Sequence, residues 1–138
     1  MFALASSVRA GGATNHRFGL FDAVLIKDNH IQIAGGIEEA VRRMRASGSR
    51  LPIEVEAQSL EDVEAALAAK VDVIMLDNLD DDELSVAIHR IARASHVEIS
   101  GGVTLDRLHA LAELGADDIS VGAITHSAPA ADISLEIE

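Results

Sequence analysis

Lys27, Glu56, Asp77, Ser100 and Gly122 share a placement: each stands where a short aliphatic run gives way to polar residues. The runs are Ala23-Val24-Leu25-Ile26-Lys27-Asp28-Asn29-His30, Ile53-Glu54-Val55-Glu56, Val73-Ile74-Met75-Leu76-Asp77-Asn78, Val97-Glu98-Ile99-Ser100-Gly101-Gly102 and Ile119-Ser120-Val121-Gly122-Ala123-Ile124-Thr125-His126. Glu56 and Asp77 at neighbouring strand ends could hold Mg²⁺ or accept hydrogen bonds from sugar hydroxyls. The alternative is an internal ion network in which they pair with Lys27. Glu54 and Glu56 lie two apart and so point to one face of a strand; if that face is a barrel interior, one carboxylate is buried low and the other reaches the mouth.

A second cluster, Gly11-Gly12-Ala13-Thr14-Asn15-His16-Arg17, joins a glycine-bearing loop to a basic pair. Glycines let a backbone approach an anion, Arg17 offers a planar fork for a carboxylate, and Lys27 supplies a point charge. A solvated turn with incidental charges is the plainer alternative. Ser100-Gly101-Gly102 precedes a helix, and Gly122-Ala123 leads into Thr125-His126. Backbone N–H groups of such turns form phosphate cradles, although Gly-Gly alone equally fits a tight turn. His89, His96 and His109 fall on helices or at strand starts, and no role is assigned to them.

Elements must bring these residues together. Parallel strands buried on both faces read as aliphatic runs, and in α/β sheets and barrels chemistry gathers at their C-terminal ends. The sequence predicts five parallel strands near 23–28, 52–57, 72–77, 97–100 and 118–122. Amphipathic stripes separate them: Ile37, Ala40, Val41 and Met44, then Leu84, Ala87, Ile88 and Ile91, both at i, i+3, i+4, i+7. Ser59 and Asp62 suggest a capping box opening a helix over 60–69, with Leu60, Val63, Ala66 and Leu67 as its apolar side. Thr104 suits the N-cap of a helix over 105–114, and Gly115 and Gly48 suit C′ positions. Pro52 opens a strand, and 133–137 alternates as a last apolar segment. The order βαβαβαβαβ predicts α/β class, and because eight closed strands typically need about 250 residues, the chain is either an open α/β sheet or the later part of an open, incomplete TIM-like barrel. Its C-terminal strand ends should gather Lys27, Glu56, Asp77, Ser100 and Gly122 at one mouth.

Composition narrows the partners. With 49% hydrophobic residues in 138, the chain has material for one core, built from aliphatics because it holds three Phe and no Tyr or Trp. A net charge of −12 argues against duplex nucleic acid and anionic membrane, and no aromatic platform exists for base stacking. Small anionic substrates remain open if cations are concentrated locally. The absence of cysteine excludes disulfides and thiolate chemistry. The first residues, Met1 to Arg9, lack a signal-peptide pattern, which makes the cytoplasm the expected compartment.

Taken together, Arg9-Ala10-Gly11-Gly12-Ala13-Thr14-Asn15-His16-Arg17-Phe18-Gly19-Leu20, Leu25-Ile26-Lys27-Asp28-Asn29-His30, Glu54-Val55-Glu56, Met75-Leu76-Asp77-Asn78, Ser100-Gly101-Gly102-Val103 and Ser120-Val121-Gly122-Ala123-Ile124-Thr125-His126-Ser127 closely resemble quinolinate phosphoribosyltransferase. That family, the carboxylating nicotinate-nucleotide pyrophosphorylases of NAD biosynthesis, joins quinolinate to phosphoribosyl pyrophosphate and releases nicotinate mononucleotide, pyrophosphate and CO₂. The resemblance implies that His16, Arg17 and Lys27 line a quinolinate site. It implies that Glu56 and Asp77 hold the ribose hydroxyls and the magnesium-bound substrate, with Lys27, Glu56 and Asp77 as the catalytic set. Ser100, Gly101, Gly102, Gly122 and Ala123 would receive the 5′-phosphate, with His126 close by.

The resemblance covers essentially the whole chain, 1–138, as the C-terminal part of the family's barrel domain. Family chains are longer, with an N-terminal α+β domain, first barrel strands carrying a Thr-Arg-Lys motif, and an arginine donated across a dimer. Nothing like these precedes Met1, so the chain alone is expected to turn over little and to associate with itself or with a full-length partner. A truncated, catalytically silent homologue that binds phosphosugar or only associates with a full-length partner is the second expectation. A pyrophosphorylase-like relative from metal-uptake operons is the third, and Lys27-Asp28-Asn29-His30 favours quinolinate over it.

Overall fold

A computed structural model describes residues 8–16 and 22–126. Five strands, β1 (Val24–Ile26), β2 (Ile53–Ala57), β3 (Val73–Asp77), β4 (His96–Ser100) and β5 (Asp118–Ile119), form one sheet in sequence order. Every neighbouring pair is parallel. The C-terminal ends of all five therefore lie along one edge, and β1 and β5 are the outer strands of an open sheet. β2, β3 and β4 match the stretches expected from the aliphatic runs to within one residue, while β1 and β5 fall within theirs but are shorter.

Between the strands run α1 (Asp28–Ala34), α2 (Ile37–Ala46), α3 (Leu60–Ala68), α4 (Asp81–Ile91) and α5 (Leu105–Glu113), and α6 (Ala123–His126) follows β5. Register fixes which side chains share a face. Ile26, Val55, Ile74 and Val97 are successive partners across β1 to β4, and they join one buried cluster with Val41, Val63, Leu84, Ile91 and Leu111 of the helices. Val55, Val63 and Ile74 are fully buried there. Fully burying such a side chain contributes about 1.5–3 kcal/mol relative to exposure. The opposite face carries Glu54 beside Val73, Glu56 beside Met75, Met75 beside Glu98, and Asp77 beside Ser100. The strands thus alternate aliphatic toward the helices and polar toward the site.

Two elements differ from expectation. Lys27-Asp28-Asn29-His30 is not a strand end: β1 stops at Ile26 and α1 begins at Asp28. The Lys27 N–H donates to His30 Nδ1 at 3.0 Å and the Asn29 N–H to Asp28 Oδ1 at 2.6 Å, so polar side chains satisfy the helix start. No residue of α1 is fully buried, which is why no apolar stripe announced it. The last strand is shorter than 118–122, because Gly122 lies in the turn that enters α6.

Caps behave as the sequence suggested, with one change. The Asp62 N–H donates to Ser59 Oγ at 3.1 Å, but Asp62 Oδ2 accepts from the Gln58 N–H rather than from that of Ser59. Thr104 is the N-cap of α5 without a side-chain bond, and Gly48 and Gly115 follow α2 and α5 in left-handed conformation. Arg17 and the segment 133–137 lie outside the described residues.

Candidate active site

Two layers of polar side chains occupy the face away from the helices. The upper layer lies at the C-terminal edge. Lys27, the N-cap of α1, brings Nζ to 3.9 Å from Glu56 Oε2 near the end of β2. Gln58 Nε2 donates to Glu56 Oε1 at 2.9 Å and reaches Asp77 Oδ2 at 3.5 Å. Asn78 Nδ2 donates to the same Asp77 oxygen at 2.8 Å. Asp77 and Ser100 are register partners at the ends of β3 and β4, so the carboxylates continue directly into Ser100-Gly101-Gly102.

Glu56 is buried, and that burial pushes its carboxyl above the usual range; the charge of Asp77 adds to the shift, while Lys27 and the Gln58 amide oppose it. Two carboxylates that repel each other, incompletely compensated by Lys27, are a hard-oxygen donor pair. They are the residues that could hold Mg²⁺, which binds through one or two carboxylates together with substrate phosphates.

The lower layer is one pleat deeper, about 6.6 Å along the strand from the upper one. His16 Nε2 lies 3.0 Å from Glu54 Oε1 and 3.2 Å from Glu98 Oε2. Hydrogen bonds to Glu54 and then Glu98, against the cost of burial, push the His16 imidazole up to about 10, so it is a cation at neutral pH. Burial would raise Glu98, but bonds from His16 and from the Ser120 hydroxyl outweigh it and hold the carboxyl below its ordinary value. A cavity of about 530 Å³ opens beside this layer, lined by His16, Glu54, Glu98, Ser100, Ser120 and Gly122 among others. A second cavity, about 920 Å³, lies at the opposite edge among the strand starts, beside Lys70, Asp72 and His96.

Lys27, Glu56 and Asp77 therefore meet in the upper layer, with Ser100 next to them, while His16 pairs with the lower layer and shares its cavity with Ser100 and Gly122. Glu54 sits low and Glu56 at the mouth, as their spacing implied. Gly101 and Gly102 hold φ of +80° and +57° at the turn, and Ala123 begins α6, which His126 ends. Glu98, Gln58 and Ser120 are additional polar residues of the site to which the sequence reading assigned no role. Parity could have found Glu98: it is a charge between aliphatics in Val97-Glu98-Ile99, in step with Ser100, as Glu54 is in step with Glu56. His96, at the start of β4, pairs with Asp118 at 2.7 Å, and both also line the 530 Å³ cavity, which the sequence reading did not expect.

Comparison with known proteins agrees with this architecture. The family model for the quinolinate phosphoribosyl transferase C-terminal domain matches residues 2–136. A probable carboxylating nicotinate-nucleotide pyrophosphorylase of Synechocystis is 47% identical over 133 residues, covering 94% of this chain and 45% of the relative. The carboxylating nicotinate-nucleotide pyrophosphorylase of Mycobacterium leprae is 44% identical over 95% of this chain and 47% of its own. Among solved structures, the nicotinate-nucleotide pyrophosphorylase of Francisella tularensis superposes with a TM-score of 0.82 at 44% identity, over 86% of this chain and 42% of that one. NadC of Streptococcus pyogenes gives 0.85 at 41% identity, over 90% and 44%. The chain spans about half the length of the relatives it matches. Among the described residues no helix is long and apolar enough to cross a membrane. With five parallel strands, a polar layer at their C-terminal edge and these matches along nearly its whole length, the chain belongs to the quinolinate phosphoribosyl transferase family.

Proposed function

We propose that this chain carries the phosphosugar-binding edge and part of the quinolinate site for phosphoribosyl transfer from phosphoribosyl pyrophosphate to quinolinate. The observation that supports this most is the meeting of Lys27, Glu56 and Asp77 beside the Ser100-Gly101-Gly102 turn. In that reaction the bond from the sugar carbon to pyrophosphate breaks and a bond to the ring nitrogen forms. The neighbouring carboxylate leaves as CO₂, and a proton takes its place.

Positive charge grows on the sugar as pyrophosphate departs, and fixed carboxylates near it lower the barrier because they need no reorganisation. Glu56 and Asp77 fill that role and accept the ribose hydroxyls. The same two would hold Mg²⁺, which when bound neutralises the pyrophosphate charge. Ser100, Gly101, Gly102, Gly122 and Ala123 receive the 5′-phosphate through hydroxyl and backbone N–H groups, with His126 near it. Lys27 and Arg17 neutralise the quinolinate carboxylates, and His16, held as a cation by Glu54 and Glu98, lines the quinolinate site. A cytoplasmic setting and assembly with a second subunit complete the reading.

The test is nicotinate mononucleotide formation from quinolinate, phosphoribosyl pyrophosphate and Mg²⁺. The chain is assayed alone and with the portion of the Synechocystis relative that it does not cover. Little turnover alone and clear turnover in the mixture support the reading. No turnover in either, with no binding of either substrate, refutes it.

A further inference from the structure

Asn78 stands in a conformation that costs energy, and its neighbours account for the expense. Its φ is +59°, in the left-handed region, although it is not glycine. Its backbone N–H donates to the Ser100 carbonyl at 3.2 Å, tying the end of β3 to the end of β4. Its side chain then lies in a slot that exists because residue 101 has no Cβ. A Cβ at Gly101 would overlap Asn78 Oδ1 and would meet its Cγ at 2.6 Å and its backbone N at 2.7 Å. Pressed there, the carboxamide is turned so that Nδ2 donates to Asp77 Oδ2 at 2.8 Å.

We propose that Asn78 is a positioning residue: wedged against Gly101, its amide fixes the Asp77 carboxylate for the magnesium-bound phosphosugar. This rests on the functional reading above and adds a role for a residue that touches no substrate in it. Two amides, from Asn78 and more distantly from Gln58, converge on Oδ2, and neither of them donates to the other oxygen of Asp77. A carboxylate held by fixed donors spends little entropy on binding, and partners of this kind are typically worth about 10- to 100-fold in metal affinity or activity. The left-handed backbone sets the direction of the side chain, and the missing Cβ at Gly101 supplies the room.

The experiment separates the amide from the turn. Glycine and aspartate both tolerate left-handed backbone, so Asn78→Gly and Asn78→Asp keep the turn while one removes the donor and the other replaces it with an acceptor. Binding of phosphoribosyl pyrophosphate with Mg²⁺ is measured by calorimetry for the 138-residue chain and both variants, alongside their thermal midpoints. Loss of roughly tenfold or more in affinity in both, with midpoints near wild type, is the expected result. Wild-type affinity in either variant overturns the proposal. If the wild-type chain binds no phosphosugar, the functional reading fails, and the positioning claim is decided by the Asn78 carboxamide NMR signals. A shift of those signals in Asp77→Ala upholds the contact, and unchanged signals overturn it.

Discussion

His16 and Glu54, 38 positions apart in sequence, meet through Nε2 and Oε1 at 3.0 Å on the polar face of the sheet. The contact draws the segment ahead of β1 over β2. Glu98 closes on the same nitrogen at 3.2 Å, so one imidazole bridges carboxylates on two strands that are not neighbours.

The bridge has a pH signature. The folded value for His16 is about 10 against 6.5 for a free imidazole, so the folded state holds the proton more tightly. The stability this contributes is fully present below about pH 6.5, declines above it, and is lost once pH passes about 10. Urea unfolding of wild type and His16→Gln should therefore show a wild-type advantage at pH 6 that shrinks toward zero near pH 10.5. An advantage constant across that interval would contradict the bridge.

Glu56 has the opposite sign. Its carboxyl is raised by burial and by Asp77, so the charged form is penalised in the fold, and the penalty sets in as pH rises through the carboxylate range. Glu56→Gln should raise the thermal midpoint at pH 7, and the gain should fade as pH drops toward about 4. The same variant should bind the magnesium phosphosugar far more weakly. Equal losses of stability and binding would show instead that Glu56 is structural.

The glycine pair separates strain from space. Gly101→Ala combines a left-handed backbone, about 1–2 kcal/mol, with overlap onto Asn78 that costs roughly 1–3 kcal/mol more. Gly102→Ala carries the backbone cost alone, since its Cβ would meet only Arg107 Nη1 at 3.7 Å. Denaturant midpoints for the two variants check the ranking, and an equal loss would place no weight on the Asn78 contact.

Helix starts make a similar contrast. Ser59 Oγ accepts the Asp62 N–H at 3.1 Å, whereas Thr104 makes no such bond. Ser59→Ala should cost about 1 kcal/mol in urea unfolding, and Thr104→Ala clearly less.

Strand placement was legible because it rests on period and burial. Val55, Ile74 and Ile99 are aliphatic because helices cover them, and the polar residues at the run ends follow from the parallel order. What stayed hidden depends on contact between distant segments. Nothing in Asn15-His16 announces Glu54 and Glu98 as partners, and Gln58 reads as a loop residue until β2 and β3 bring Glu56 and Asp77 within reach of its amide. The start of α1 was concealed for another reason. Its first turn is satisfied by Asp28 and His30, side chains that look like site residues at a strand end.

The central claim is that the C-terminal edge of the sheet is where phosphosugar and Mg²⁺ bind, and amide chemical-shift mapping of the chain tests it most directly. Titration with phosphoribosyl pyrophosphate and Mg²⁺ should move Asp77, Asn78, Ser100, Gly101, Gly102 and Gly122, and should leave Lys70, Ser95 and Gly115 at the opposite cavity in place. Shifts confined to that opposite edge, or saturating binding that leaves Asp77 and Ser100 unmoved, would contradict it.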